Sequence, residues 1–166
     1  MQAGRRGLEG RRTATLRYVP YFICPNCKKR FVDNDRRDGL THQPVGCSNC
    51  GFGFLFELLE DYYPRPTAGF IVCDGDERII AVGRGVLELT GYREGELLGR
   101  QLKDGLGLMS PNGEDPSAVV LEWGVRKLDQ SLTMRTRSGA TAPITADFFP
   151  AYDEDGGLLV ALAPRR

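Results

Sequence analysis

The sequence predicts an α+β protein in two unequal parts: a small β unit organised by four cysteines, then a larger unit with one antiparallel sheet. Three observations predict this. Cys24 and Cys27 form one C-x2-C pair, and Cys47 and Cys50 form a second after nineteen intervening residues. From Gly69 onward, apolar runs, turns and helical stretches follow in the order β-β-α-α-α-β-β-β. Charge divides the same way: residues 1–56 carry ten Lys/Arg and four Asp/Glu, net +6, and residues 57–166 carry twelve and eighteen, net −6.

At 166 residues there is room for a mini-domain followed by a domain of ordinary size. The longest apolar run near the C-terminus, Leu158–Ala163, is too short to cross a bilayer, which needs roughly 20 residues. Residues 1–12 are polar and Arg-rich, without the apolar stretch of a secretory signal. The expected location is the cytoplasm, away from membranes, where thiols stay reduced and paired cysteines serve as metal ligands rather than disulfides. The basic N-terminal part has two readings of equal standing. It meets a polyanion, or it docks on the acidic part of its own chain or of a dimer mate.

Residues 1–12, with four arginines and little to bury, read as a disordered basic tail. Residues 13–56 read as a β unit. Thr13–Ile23 is rich in strand formers, Cys24-Pro25-Asn26-Cys27 makes a tight turn, and Lys28–Val32 returns as a second strand. Asp33–Gly39 is a charged loop leading to the second cysteine turn. So short a segment cannot fold on its own core. Four thiolates converging on one ion supply the missing stability, in the tetrahedral arrangement that Zn²⁺ prefers. The order of strands and cysteine turns resembles a zinc ribbon, with Cys24, Cys27, Cys47 and Cys50 as ligands. Gly51 after the second pair suits the left-handed position of a knuckle, whereas Lys28 after the first departs from the commonest form. Iron accepts the same four thiolates; zinc is the commoner occupant and is the expectation. His42, the only histidine, is read as a loop residue without a metal role. Tyr18, Tyr21, Phe22 and Phe31 are assigned to the ribbon's mini-core. Lys28, Lys29, Arg30, Arg36 and Arg37 give it a basic face open to protein or nucleic acid.

Phe52, Phe54 and Phe56 alternate as a last ribbon strand, and Phe56, Leu58, Leu59, Tyr62 and Tyr63 then fit one side of a short helix. Residues 57–66 are therefore expected to be a helical connector ended by Pro64 and Pro66. In residues 67–166, Gly69–Cys73 and Arg78–Val82 form a hairpin around Asp74-Gly75-Asp76. Short helices follow at Gly85–Thr90 and Arg93–Leu98, then a longer one at Pro116–Leu128 with proline in its first turn. Strands at Ser131–Arg137, Thr141–Tyr152 and Leu158–Ala163 complete the sheet. Gly69–Gly99 resembles the first half of a PAS domain. The matching signatures are the D-x-x-x-x-I turn (Asp74–Ile79), the L-T-G-Y step (Leu89–Tyr92) and E-L-L-G (Glu96–Gly99). Arg135–Leu162 resembles the three-strand end of the same family, so the resemblance covers roughly residues 66–164. One departure stands out: Gly83 occupies the place of an asparagine that normally braces the turn from sheet to helix.

The resemblance implies a sensory and dimerisation module with a pocket between sheet and helices. Leu102 replaces the reactive cysteine of flavin-photoreactive relatives, and the long helix has no histidine for haem, so neither a flavin–cysteine adduct nor His-ligated haem is expected. Met109 and Met134 are conceivable axial ligands but are read first as core filler, and Cys73 is read as a small buried hydrophobe ahead of a redox role. Trp123 is a candidate either to pack on the sheet or to line the pocket. With no histidine in the larger unit and no open position on a four-cysteine ion, no enzyme is expected. The leading expectation is a signalling or transcription-regulating protein, homodimeric through its PAS-like part, whose ribbon engages protein or nucleic acid. The alternatives are a ligand-free structural adaptor and a cysteine-based redox or metal sensor.

Overall fold

In a computed structural model, the structure describes residues 21–32, 46–59, 61–151 and 157–165. Expectations for the tail, for most of the first strand with Tyr18, and for the 33–45 loop with Arg36, Arg37 and His42 lie outside these residues. Three strands form a small antiparallel sheet: β1 (Tyr21–Ile23), β2 (Arg30–Val32) and β3 (Phe56–Leu58), in the order β2-β1-β3. Phe22 faces Phe31 across one pair, and Ile23 faces Phe56 across the other.

Among the described residues of 57–66, the expected helical connector is not formed. Phe56–Leu58 is instead the third strand, beginning at Phe56 rather than Phe52. Phe56, Leu58 and Tyr62 satisfy a period of two as well as a helical period, whereas Leu59 and Tyr63 fit the helix alone. Phe56 and Leu58 are buried with Glu57 between them, while Leu59 and Tyr63 are 41% and 69% exposed. Pairing with β1 also satisfies backbone groups that a free two-strand hairpin would leave open.

The larger sheet has five antiparallel strands in the order β5-β4-β8-β7-β6. They are β4 (Gly69–Cys73), β5 (Ile79–Val82), β6 (Lys127–Arg135), β7 (Thr141–Pro150) and β8 (Leu158–Pro164). In the first hairpin, Asp74 Oδ1 accepts from the backbone N–H groups of Asp76 and Arg78, each at 2.9 Å, which is why aspartate suits that turn. Four helices, not three, separate β5 from β6: α1 (Val86–Thr90), α2 (Glu94–Leu97), α3 (Leu102–Leu106) and α4 (Pro116–Trp123). The extra one, α3, is a single turn carried by Leu102 and Leu106, four apart and fully buried. Helix α4 starts where Asp115 caps Ala118 N–H at 3.3 Å. It stops short of the expected Leu128 because Gly124, at φ 64°, closes it in the left-handed conformation.

Both faces of the sheet are covered. Toward the helices, Ile71, Cys73, Ile79, Leu132, Ile144, Phe148, Val160 and Leu162 pack with Val86, Leu97, Leu102, Leu106 and Val120. On the other face, Phe70, Val72, Ala81, Phe149, Leu159 and Ala161 share a second core with Ile23, Phe56, Leu58 and Tyr62. The uninterrupted apolar run of β8 follows from this, since a strand buried on both sides has no polar face to alternate with.

A candidate metal centre seated on the sheet

The two cysteine turns are built alike. Lys28 N–H donates to Cys24 O at 2.9 Å, and Gly51 N–H to Cys47 O at 2.8 Å. Cys24 N–H then pairs with Lys29 O at 3.0 Å, and Cys47 N–H with Phe52 O at 2.7 Å. Lys28 adopts φ 63°, the left-handed position that Gly51 takes at φ 79°. The departure in residue type leaves the knuckle's geometry intact, at a local cost of about 1–2 kcal/mol.

The four sulfurs lie within 4.8 Å of one another. Cys24 and Cys50 Sγ are 3.5 Å apart, and Cys27 and Cys47 Sγ 3.7 Å. A tetrahedral ion with Zn–S bonds of about 2.3 Å places its sulfurs about 3.8 Å apart, so the cluster has the dimensions of a closed four-thiolate site. Separations this long also exclude disulfides, whose sulfurs sit about 2.05 Å apart. Cys24 and Cys47 are buried, and burial pushes the Cys24 thiol up to about 12. The Asn26 side-chain amide, 3.5 Å from Cys50 Sγ, holds that thiol down at about 6. Four such thiols could form a zinc site.

The first knuckle rests against the larger sheet. A Cβ at Gly83 would lie 2.1 Å from Pro25 O, so only glycine permits this approach. Next to it, Arg84 N–H donates to Asn26 Oδ1 at 3.0 Å. The turn at Gly83 therefore has its amide brace, supplied by the cysteine turn instead of the turn itself. Lys28 Nζ donates to Pro66 O at 2.9 Å, and the Arg30 guanidinium stacks 4.2 Å from the Tyr63 ring. Of the basic residues, Lys28 and Arg30 are thus directed at their own chain. Phe22 is buried, in keeping with a mini-core role.

Residues 67–163 match the PAS domain family. This chain belongs to the PAS-domain family. Among solved structures, the PAS domain of a Colwellia psychrerythraea protein is similar at 18% identity and a TM-score of 0.50, over 60% of this chain and 86% of that one. The PAS domain of nitrogen regulation protein NR(II) from Vibrio parahaemolyticus is similar at 13% identity and TM-score 0.50, over 61% and 92%. The light-state dimer of the fungal blue-light photoreceptor Vivid gives 17% identity and TM-score 0.50, over 63% and 82%. No curated protein matches the chain.

Between the PAS helices and sheet, aliphatic side chains fill the interior. A cavity of about 20 Å³, room for about one water, is lined by Lys103, Ser110, Asp115, Leu132 and Phe148. Lys103 and Asp115 form an ion pair at its rim. Trp123 neither packs on the sheet nor lines this cavity. It is the last residue of α4, with 70% of its surface exposed. Met109, whose backbone pairs with Thr133, is 68% exposed and is not core filler. Met134 is buried as expected, and so is Cys73, whose thiol burial pushes up to about 12. Asn26 escaped sequence reading, because a knuckle asparagine draws no notice until its neighbour in space is known. The missing asparagine at Gly83 was the available signal.

Proposed function

We propose that this chain is a non-enzymatic signalling protein in which a structural zinc ribbon, residues 13–56, is built onto a PAS domain, residues 67–166. PAS relatives are signalling sensors, which supports the regulatory reading. The observation that carries it is the shared core: Ile23, Phe56 and Leu58 of the small sheet pack with Phe70, Phe149 and Leu159 of the PAS sheet. A unit fastened in this way can transmit a change in one part to the other. Zn²⁺ would be held by Cys24, Cys27, Cys47 and Cys50, with no catalytic role, since four thiolates leave no position for a reacting water. Free thiols suit a reducing cytoplasm, and among the described residues no helix is long and apolar enough to cross a membrane. The output is a protein partner, or nucleic acid, engaged through the ribbon, with PAS-mediated homodimerisation.

A second reading has its own support. Among the described residues, buried side chains such as Leu97, Leu102, Leu106, Val120 and Phe148 pack the space between the PAS helices and sheet, which favours a ligand-free dimerising adaptor. Native mass spectrometry of the purified protein separates the two. One zinc per chain with a co-purified small molecule supports the sensor, and one zinc with none supports the adaptor. Failure to shift nucleic acid and to retain a transcription component at low salt would remove the output assigned to the ribbon.

A further inference from the structure

The first knuckle and the PAS domain meet at one turn, and the residues at that meeting have no freedom to be otherwise. At Gly83 a side chain would strike Pro25 O at 2.1 Å, Pro25 C at 2.9 Å and Asn26 Cα at 3.3 Å. These are backbone atoms that cannot step aside unless the knuckle lifts. Gly83 is itself held from the PAS side, where its N–H donates to Phe70 O at 2.8 Å. Beside it, the Asn26 amide works in two directions. Its Nδ2 donates to Cys50 Sγ at 3.5 Å, and its Oδ1 accepts from Arg84 N–H at 3.0 Å. The orientation follows from the partners: a backbone N–H needs an acceptor, and a metal-binding thiolate needs a donor. Turning the amide over would set donor against donor at Arg84.

We propose that Asn26 and Gly83 form a latch that makes metal occupancy of the four cysteines and docking of the ribbon on the PAS sheet a single coupled equilibrium. The inference rests on the reading of the cysteine cluster as a metal site. Asn26 is a positioning residue here, orienting Cys50 while bracing the start of the first PAS helix, which begins at Val86 after the N-cap Gly85. Such hydrogen bonds to ligands commonly govern metal affinity by 10–100-fold. Coupling is reciprocal. A metal that fixes Cys50 and the knuckle therefore holds Asn26 against Arg84, and a PAS turn that accepts the knuckle tightens metal binding. Without the metal, the knuckle loosens and the cover over Phe70, Val72 and Phe149 loosens with it.

The test uses the full chain and two readouts. Metal affinity is measured by Co²⁺ titration against a competing chelator, for the wild type, Gly83→Ala and Asn26→Ser. Hydrogen exchange is followed at Arg84 and along residues 69–73, with zinc and after chelation. The latch predicts that Gly83→Ala weakens metal binding about tenfold or more although Gly83 touches no cysteine, and that Asn26→Ser does likewise. It also predicts that chelation of the wild type speeds exchange at Arg84 N–H and in β4. Wild-type affinity in Gly83→Ala overturns the latch. Should that variant not fold, unchanged exchange at Arg84 after chelation overturns it instead. A wild type that shows no thiolate-bound Co²⁺ spectrum overturns the metal reading itself, a result distinct from either.

Discussion

Tyr62 donates its hydroxyl to Asp147 Oδ2 at 2.8 Å, across the face of the PAS sheet that the small unit covers. Its ring meets Phe149 edge-on with centroids 4.5 Å apart. The other oxygen of Asp147 accepts from Asp129 N–H at 2.8 Å, so one carboxylate fastens both the connector and the irregular start of β6. Two ion pairs from the same stretch, Asp61–Arg126 and Arg65–Asp129, reinforce the connection. These tertiary bonds do what a connector helix was expected to do.

Burial first, and then the nearby Asp147 charge, raise the Tyr62 hydroxyl well above its ordinary value of 10. The folded state thus keeps a proton that the unfolded chain gives up. This contribution to stability is complete below pH 10 and is lost as pH rises beyond it. Tyr62→Phe should cost about 1 kcal/mol near neutral pH. It should also make urea stability fall less steeply above pH 10 than in the wild type. Parallel curves for the two proteins would refute the assignment.

Thr90, in the L-T-G-Y step, is buried and uses its hydroxyl twice. It donates to Val86 O at 2.7 Å and accepts from Tyr92 N–H at 3.1 Å. Thr90→Val keeps the volume but strands the Tyr92 donor in a half-buried place. A loss of about 1–3 kcal/mol in chemical denaturation is expected.

Thiol chemistry should sort the five cysteines. Cys73 is 1% exposed, and burial, then the Asp74 and Glu77 charges, push its thiol up to about 12. With metal bound, an aromatic disulfide reagent should find little to react with. After chelation the half-buried Cys27 and Cys50 should react first, the buried Cys24 and Cys47 more slowly as the knuckles loosen, and Cys73 only on adding denaturant. Rapid reaction of Cys73 in the folded chain would contradict its burial.

Trp123, the sole tryptophan, is 70% exposed, so its fluorescence should lie close to that of tryptophan in water and be readily quenched by iodide. A blue-shifted, protected emission would mean that this face is covered in solution.

Legibility in the sequence followed the range of the interactions involved. Hairpins announced by Asp74 and by Ser138-Gly139, the four-cysteine spacing and the left-handed Gly51 are local matters, decided within a few residues. In the connector, Phe56, Leu58 and Tyr62 suit both a strand and a helix period. Only pairing between Ile23 and Phe56, far apart in the chain, chose the strand. Gly124 ends α4 before the apolar pattern around it does, and α3 is too short to show any periodicity.

By itself, then, the chain's order of residues determined the two-part plan, the antiparallel sheet and the identity of the thiols that gather around one centre. Tertiary structure alone decided that the cysteine unit lies over the PAS sheet, that Asn26 supplies the brace absent at Gly83, and that Trp123 faces water. Packing of one surface on another depends on shape and on groups distant in the chain, and no spacing rule encodes that a backbone oxygen at Pro25 will need the empty side of a glycine far along the sequence at position 83.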